Sequence, residues 1–138
     1  MRKLRVLIAE DHEQMRWQLV RSLRLEFDVV GDVSNGGKLV DLAISLSPDV
    51  IISDLIMPVL SGLEAMKTLR RSGCNTPFVL ISISSCGAEE FVKQGAAAFV
   101  EKQDISYELA LAVRLAAFGV KYLSSSVWSS MVSELGDR

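Results

Sequence analysis

Five charged or nucleophilic side chains lie at or just beyond the ends of short apolar runs: Glu10, Asp11, Asp54, Ser82 and Lys102. If these ends meet in the fold, three carboxylates are crowded together, and like charges disfavour the ionised forms unless a cation joins them. Oxygen ligands without cysteine or histidine suit Mg²⁺, which keeps several waters and accepts phosphoryl oxygens. A metal and a lysine beside a carboxylate meet the needs of phosphoryl transfer. Asp54 is suited to be the nucleophile, since carboxylates form acyl phosphates.

Each of these residues also has an ordinary explanation when it is taken alone. Glu10 and Asp11 can cap a first helix, because acidic side chains favour helix N-termini. Ser82 can be a strand-end hydroxyl and Lys102 a solvated charge, while Asp54 is equally suited to capping a turn. These explanations account poorly for all five residues falling at strand ends, so the positions of the secondary-structure elements have to decide between them.

The elements that must bring these ends together alternate between apolar strands and amphipathic helices. Met15, Leu19 and Leu23 recur at four-residue spacing between charged residues, which is one face of a helix. Continuous aliphatic runs such as Val50 to Ile52 are typical of strands buried on both faces. The predicted strands are Leu4 to Ala9, Asp28 to Val33, the run that begins at Val50, Phe78 to Ser82 and Ala97 to Glu101. The predicted helices are His12 to Glu26, a segment around Leu39 to Leu46, Gly62 to Ser72, Ala88 to Gln94 and Ser106 to Phe118, with a last short helix over Val127 to Leu135.

The alternation of strands and helices predicts βαβ units, a parallel sheet and right-handed crossovers. The expected fold class is therefore α/β, a doubly wound five-stranded parallel sheet with the strand order 2-1-3-4-5. That order places a ligand-binding crevice outside the carboxyl ends of strands 1 and 3. Glu10 and Asp11 then meet Asp54 in the crevice, while Ser82 and Lys102 end strands 4 and 5 at the same edge of the sheet.

Length and composition narrow the classes of protein. The chain has 138 residues, 49% of them hydrophobic, which is enough for one domain with a well-filled core. Its net charge of −2, with both signs interspersed, offers no broad basic surface for nucleic acid or an anionic membrane. No apolar stretch is long enough to span a bilayer, and the N-terminal run is too short for a signal peptide. Cys74 and Cys86 lack metal-ligand neighbours, so we expect free thiols in a reducing cytoplasm.

Four segments together resemble the receiver domain of two-component response regulators. They are IAED at 8–11, DLIMP at 54–58 followed by Ser61-Gly62, LIS at 80–82 and GAAAFVEK at 95–102. The similarity extends from Lys3 to Gly119, and the combination of motifs is what makes it specific. It implies the flavodoxin-like receiver fold, Mg²⁺ as the cofactor and a histidine kinase as the phosphoryl donor. It also implies that the protein is not an enzyme beyond its own Mg²⁺-dependent phosphorylation and dephosphorylation.

The resemblance assigns roles around the acid cluster. Asp54 would be the phosphoacceptor. Asp11, Asp54 and the backbone carbonyl of Ile56 would hold Mg²⁺, and Glu10 would contact the metal through water. Lys102 would pair with the phosphoryl group.

Further roles follow for residues that report or end the phosphorylated state. Ser82 would hydrogen-bond the phosphoryl group after transfer, and Phe99 would be the aromatic switch that turns inward. Ile56 and Ser84, two residues beyond Asp54 and Ser82, would line the route of the attacking water and tune the lifetime of the phosphate.

The C-terminal part of the chain points to a subfamily. Lys102 is followed by Gln103-Asp104 where many receivers have proline, and AVRLAAFGVKYLSSSV at 112–127 is similar to the passage toward a LuxR-type helix-turn-helix output domain. We therefore expect a receiver at residues 1–121 and, at 122–138, a linker that starts a tail toward an output domain outside this chain. DNA would be bound only through that domain, and a homodimer is a further candidate partner. We expect a cytoplasmic protein without membrane association, either a fragment of a transcription factor or a stand-alone receiver.

The alternatives to a phosphorylation switch come from different classes. Residues 83–94 connect Ser82 to Gly95, which is short for the family by about half a helical turn, so we expect a shortened fourth helix and an altered readout. The short connection is the reason to consider, as the main alternative, a receiver-like interaction module that works without phosphorylation. An aspartate-nucleophile phosphatase would need a second acid two residues after Asp54, where this chain has Ile56. A dinucleotide site is disfavoured, because the loop EDHEQ at 10–14 has no glycine.

Overall fold

The computed structural model of the chain describes residues 2–136. Six parallel strands form one sheet in the order β2-β1-β3-β4-β5-β6. The strands are β1 (Arg5–Ala9), β2 (Asp28–Val33), β3 (Val50–Asp54), β4 (Phe78–Ser82), β5 (Ala98–Glu101) and β6 (Tyr122–Leu123). The helices are α1 (Glu13–Leu23), α2 (Gly36–Leu46), α3 (Gly62–Arg71), α4 (Ala88–Lys93), α5 (Ile105–Ala117) and α6 (Ser125–Gly136), and Lys102–Asp104 forms a turn of 3₁₀ helix.

The doubly wound α/β fold and the order of the five predicted strands are confirmed. The fourth helix is shortened as predicted and has six residues. The sequence pattern does not predict β6, because a strand of two residues is too short to show a period, yet Leu123 pairs with Phe99 in the sheet. The division into residues 1–121 and 122–138 stays a prediction, and residues 1, 137 and 138 lie outside the described part of the chain.

The core has two layers because successive strand residues point to opposite faces of the sheet. On one face, Val6, Ile8, Val50 and Ile52 and their neighbours pack against α1 and α5. On the other face, Leu7, Ile51, Phe78, Leu80 and Phe99 pack against α2, α3 and α4 and against Val127 of α6. Every residue of β3 and β4 is buried, so the continuous apolar runs are explained by a sheet covered on both sides.

Side chains at the helix starts fix where the loops end. Nδ1 of His12 accepts a hydrogen bond from the Met15 amide at 3.3 Å, so the side chain that caps α1 belongs to His12 and not to the acidic Glu10 or Asp11. Oδ1 of Asn35 accepts from the Lys38 amide at 2.9 Å at the start of α2. Helix α4 begins at Gly87 without a side-chain cap. None of the helices within residues 2–136 has the length and hydropathy needed to cross a membrane.

Two carboxylates fasten the start of α6 to the rest of the domain. Asp104 accepts hydrogen bonds from the backbone amide and the hydroxyl of Ser126, at 3.0 and 2.8 Å. Glu108 accepts from the Ser125 amide at 3.0 Å and from the hydroxyl of Tyr122. Burial, and then the hydrogen bond to Glu108, raise the pKa of Tyr122 to about 12, so this hydroxyl keeps its proton and remains a donor. The described tail is therefore docked on β5 and α5.

Candidate functional site

The carboxyl ends of β1 and β3 bring the three predicted acids together. Ala9 of β1 is paired with Ser53 of β3, so the next residues, Glu10 and Asp54, lie side by side at the edge of the sheet. Glu10, Asp11 and Asp54 each offer a carboxylate oxygen within 4.8 Å of the others. Glu10 and Asp54 are buried and Asp11 is exposed, so the cluster opens to solvent on the side of Asp11.

Lys102 completes this cluster from the end of β5. Its Nζ donates hydrogen bonds to Oε1 of Glu10 and Oδ2 of Asp54, both at 2.8 Å. Burial alone would lower the pKa of Lys102, but the hydrogen bonds and charges of Asp54 and Glu10 outweigh it, so this pKa is raised. The ammonium group therefore stays charged between two carboxylates.

Glu10 is the most perturbed group of the site. Burial first, and the neighbouring Asp54 second, raise its pKa to about 7, against the lowering effect of Lys102. Its Oε2 is buried and has no hydrogen-bond partner in the part of the chain that the structure describes. Leaving a buried polar atom unpaired is costly. A cation, directly or through a bound water, would satisfy this oxygen, and hard carboxylate oxygens are the donors that Mg²⁺ prefers, so the residues present fit that metal.

The loop from Leu55 to Ser61 forms the wall of the site beside Asp54. Oδ1 of Asp54 accepts from the Ile56 amide at 3.2 Å, and the Gly62 amide donates to the Leu55 carbonyl at 2.8 Å, which closes the loop. The backbone carbonyl of Ile56, a predicted metal ligand, belongs to this loop, and the Ile56 side chain is exposed. The loop therefore orients the Asp54 carboxylate through the Ile56 amide, and it also carries the Ile56 carbonyl that is predicted to bind the metal.

Three residues that position the backbone of Glu10 and Asp54 are not predicted from the sequence. The hydroxyl of Ser53 is fully buried and donates to the Asp54 carbonyl at 2.9 Å. Arg16 donates to the Glu10 carbonyl at 2.9 Å and so braces the end of β1. A Cβ at Gly62 would lie 2.5 Å from the Asp54 carbonyl oxygen, so only glycine fits there. A serine inside a fully buried strand is the one signal that could have drawn attention to Ser53.

The predicted switch residues lie near the acids but are not bonded to them. Oγ of Ser82 is buried and accepts a hydrogen bond from the Ser84 amide at 3.2 Å, and Ser84 is exposed. Phe99 is fully buried and stacks on Phe91 of α4 with ring centroids 5.8 Å apart. Phe99 is thus already buried in this structure, and its predicted turn on phosphorylation, like the roles of Ser82 and Ser84, stays a prediction.

Comparisons with known protein sequences all find response regulators. The sequence profile described as the response regulator receiver domain matches residues 6–114. The transcriptional regulatory protein LiaR of Bacillus subtilis strain 168 is 34% identical over 136 residues, which cover 96% of this chain and 64% of LiaR. The chain thus spans just under two thirds of the length of that relative.

Solved structures agree in fold over most of their length. The signal receiver domain of the response regulator NarL from Mycobacterium tuberculosis has a TM-score of 0.81 and 32% identity, covering 86% of this chain and 99% of that one. A DNA-binding response regulator of the LuxR family from Staphylococcus aureus has a TM-score of 0.77 and 26% identity, covering 83% and 98%. The resemblance noted in the sequence is confirmed. The chain belongs to the response regulator receiver domain family, and its relatives are two-component regulators of the LuxR type.

Proposed function

We propose that this chain is a phosphorylation-dependent signalling switch in which a histidine kinase donates a phosphoryl group to Asp54. The observation that carries the proposal is the buried carboxylate of Asp54 held 2.8 Å from the ammonium of Lys102, within the cluster of Glu10 and Asp11. A carboxylate oxygen of Asp54 attacks phosphorus, the bond from phosphorus to the donor breaks, and an acyl phosphate forms. Lys102 balances the added negative charge.

The same residues support a site for a divalent cation. Asp11, Asp54 and the Ile56 carbonyl would hold Mg²⁺, and Glu10 would reach it through water. When bound, Mg²⁺ neutralises charge on the phosphoryl oxygens. The chain itself orients the acceptor, because the Ile56 amide holds one oxygen of Asp54 and Lys102 holds the other.

The readout begins at Ser82 and Phe99. Oγ of Ser82 accepts a hydrogen bond from the Ser84 amide, and its own hydroxyl proton would be donated to the phosphoryl group. Phe99 stacks on Phe91 of α4 and belongs to the same apolar cluster as Val127 of α6, so a change in its packing can reach both helices. A few kcal/mol of differential stabilisation moves most of a two-state population. Ile56 and Ser84, both exposed beside the site, tune how fast water removes the phosphate.

The output that we propose is control of transcription in the cytoplasm. The relatives are named as transcriptional and DNA-binding regulators, and LiaR is longer than this chain. Residues 1–121 would be the receiver, and 122–138 would lead toward a DNA-binding domain. Contact with DNA, and homodimerisation, would be the consequences of phosphorylation.

Phosphorylation by a small donor tests the central step. Incubation with acetyl phosphate and Mg²⁺ should add one phosphate to the wild-type protein, seen by intact-mass spectrometry, and excess EDTA should prevent it. Asp54→Asn is the matched control, because it keeps the size of the side chain and removes the nucleophile. An unchanged wild-type mass, or a phosphate that also appears on Asp54→Asn, would reject Asp54 as the acceptor.

One observation favours a second function, a receiver-like interaction module that works without phosphorylation. Helix α4 has six residues and no side-chain cap, so the element beside Phe99 is held weakly. This function requires the same self-association for the wild type and Asp54→Asn, with or without beryllofluoride and Mg²⁺. Sedimentation measurements that differ between the two proteins would eliminate it.

A further inference from the structure

A strained backbone turn lies in the loop that carries the proposed metal-binding carbonyl. Val59 has a φ of +72°, and the Leu60 amide donates to the Pro58 carbonyl at 2.9 Å across it. A three-residue turn with a positive φ at its centre is the rare and strained form of the γ-turn. For a β-branched residue, a positive φ is a genuine outlier. Val59 is also 77% exposed, so burial of its side chain in the core does not account for the conformation.

The turn is held from outside the loop, by the two glycines that begin α2. The Gly36 amide donates to the Pro58 carbonyl at 3.3 Å. A Cβ at Gly36 would lie 2.2 Å from the Leu60 carbonyl oxygen, and a Cβ at Gly37 would lie 3.1 Å from Cγ1 of Val59. The loop and the start of α2 are therefore in direct contact, with the Val59 methyl group resting where Gly37 has no side chain.

The contact is linked to the site through a short stretch of backbone. The loop is closed at its base by the hydrogen bond from Gly62 to the Leu55 carbonyl and fixed at its tip by the contact with α2. Ile56 lies between these two points, and its amide holds Oδ1 of Asp54 at 3.2 Å. Strained residues persist where the surroundings determine them, and they cluster at functional sites.

We infer that Val59 is a positioning residue for the divalent cation of the phosphorylation site. The contact between the Val59 side chain and Gly37 stabilises the strained turn. This turn keeps the Ile56 carbonyl and the Asp54 carboxylate in the orientation that binds the metal. The inference rests on the proposed function, because it assumes that this site takes Mg²⁺. It assigns a role in metal binding to a contact between α2 and the loop, outside the ligands themselves.

Two variants separate the strain from the contact. Val59→Gly removes both, because glycine adopts a positive φ without steric cost. Val59→Ala keeps an L side chain at a positive φ and removes both γ methyl groups, including the one that rests on Gly37. We expect Val59→Gly to raise the midpoint of thermal unfolding while weakening Mg²⁺ binding about tenfold, the lower end for residues that orient metal ligands. We expect Val59→Ala to weaken Mg²⁺ binding by a similar factor without the gain in the unfolding temperature.

A third variant tests the partner surface. Gly37→Ala places a Cβ against the Val59 methyl and should weaken Mg²⁺ binding in the wild-type background. In the Val59→Gly background the same change should weaken Mg²⁺ binding much less, because the methyl group is gone and only Oδ1 of Asn35, 3.3 Å from the added Cβ, remains close. Gly136→Ala is the matched control, since no atom lies within 4 Å of the added Cβ.

Mg²⁺ binding is measured by isothermal titration calorimetry on the unphosphorylated protein, so the result does not depend on phosphorylation activity. Wild-type protein that binds no Mg²⁺ would overturn the proposed function together with this inference. Wild-type protein that binds Mg²⁺, with Val59→Gly and Val59→Ala binding equally well, would overturn this inference alone. A loss of Mg²⁺ binding that merely follows a fall in the unfolding temperature of both variants would also overturn it.

Discussion

Glu10 is expected to destabilise the metal-free protein as the pH rises, and Glu10→Gln is the variant that shows it. The carboxyl group is fully buried, its Oε2 has no partner among residues 2–136, and Asp54 is its neighbour. Burial first, and Asp54 second, raise its pKa from 4.5 to about 7. Between these values the folded protein holds a proton that the unfolded chain has released. The free energy of unfolding therefore falls as the pH rises through this window.

The magnitude follows from the size of the shift. At 1.36 kcal/mol per pKa unit, a rise from 4.5 to about 7 corresponds to about 3 kcal/mol of stability that is present below about pH 4.5 and lost above about pH 7. Glutamine has the same size, carries no charge and still offers an oxygen to Lys102. Its amide group takes the place of the unpaired Oε2 beside the Asp54 carboxylate. Glu10→Gln should thus gain stability relative to the wild type as the pH rises.

Urea unfolding in EDTA, at intervals from about pH 5 to about pH 8, measures this difference. The difference in free energy of unfolding between Glu10→Gln and wild type should grow by about 1 to 3 kcal/mol across that range, because titrating groups remote from Glu10 cancel in the comparison. Glu134→Gln, at an exposed glutamate of α6, should show no such trend. A difference that is independent of pH, or a Glu10→Gln protein less stable than wild type near pH 8, would refute the reasoning.

Two further substitutions test contacts that hold the site and the tail. Asp104→Ala removes the acceptor of both hydrogen bonds from Ser126, so α6 should lose about 1 kcal/mol of local stability and its amides should exchange hydrogen faster while those of β1 to β4 do not. Uniform exchange in both proteins would mean that Asp104 does not hold α6. Gly62→Ala places a Cβ 2.5 Å from the Asp54 carbonyl oxygen and should cost about 1 to 3 kcal/mol in urea unfolding, whereas Gly136→Ala should be neutral. Equal stability of the two alanine variants would show that the loop beside Asp54 relaxes without cost.

Much of the fold is predictable because its signals are local and periodic. The runs at 50–54 and 78–82 are apolar throughout, which is what a parallel strand covered on both faces requires. Once the order of strands is known, the carboxyl ends of β1, β3 and β5 must share one edge, so Glu10, Asp54 and Lys102 are predicted to meet. The short connection after Ser82 likewise predicts a short α4 without knowledge of any contact.

Other features have no periodic signal, and two of them depend on partners distant in the chain. His12 caps α1 in place of the acidic residues, because the geometry of the first turn decides which side chain reaches the Met15 amide. Strand β6 exists because Leu123 meets the edge of β5 at Phe99, and two residues alone carry no pattern. The docking of α6 likewise depends on Asp104, which lies 22 residues from Ser126 in the chain.

The sequence by itself determined the class of fold, the five-strand order and the identity of the acid cluster, since these follow from side-chain type and spacing. Tertiary structure alone decided how the cluster is charged and held. The pKa of Glu10 depends on the burial that the whole sheet creates and on Asp54 from another strand. The conformation of Val59 depends on two glycines of α2 that meet the loop only after folding. The pKa of Glu10 and the conformation of Val59 both depend on distances between atoms far apart in the chain, and those distances cannot be read from the sequence.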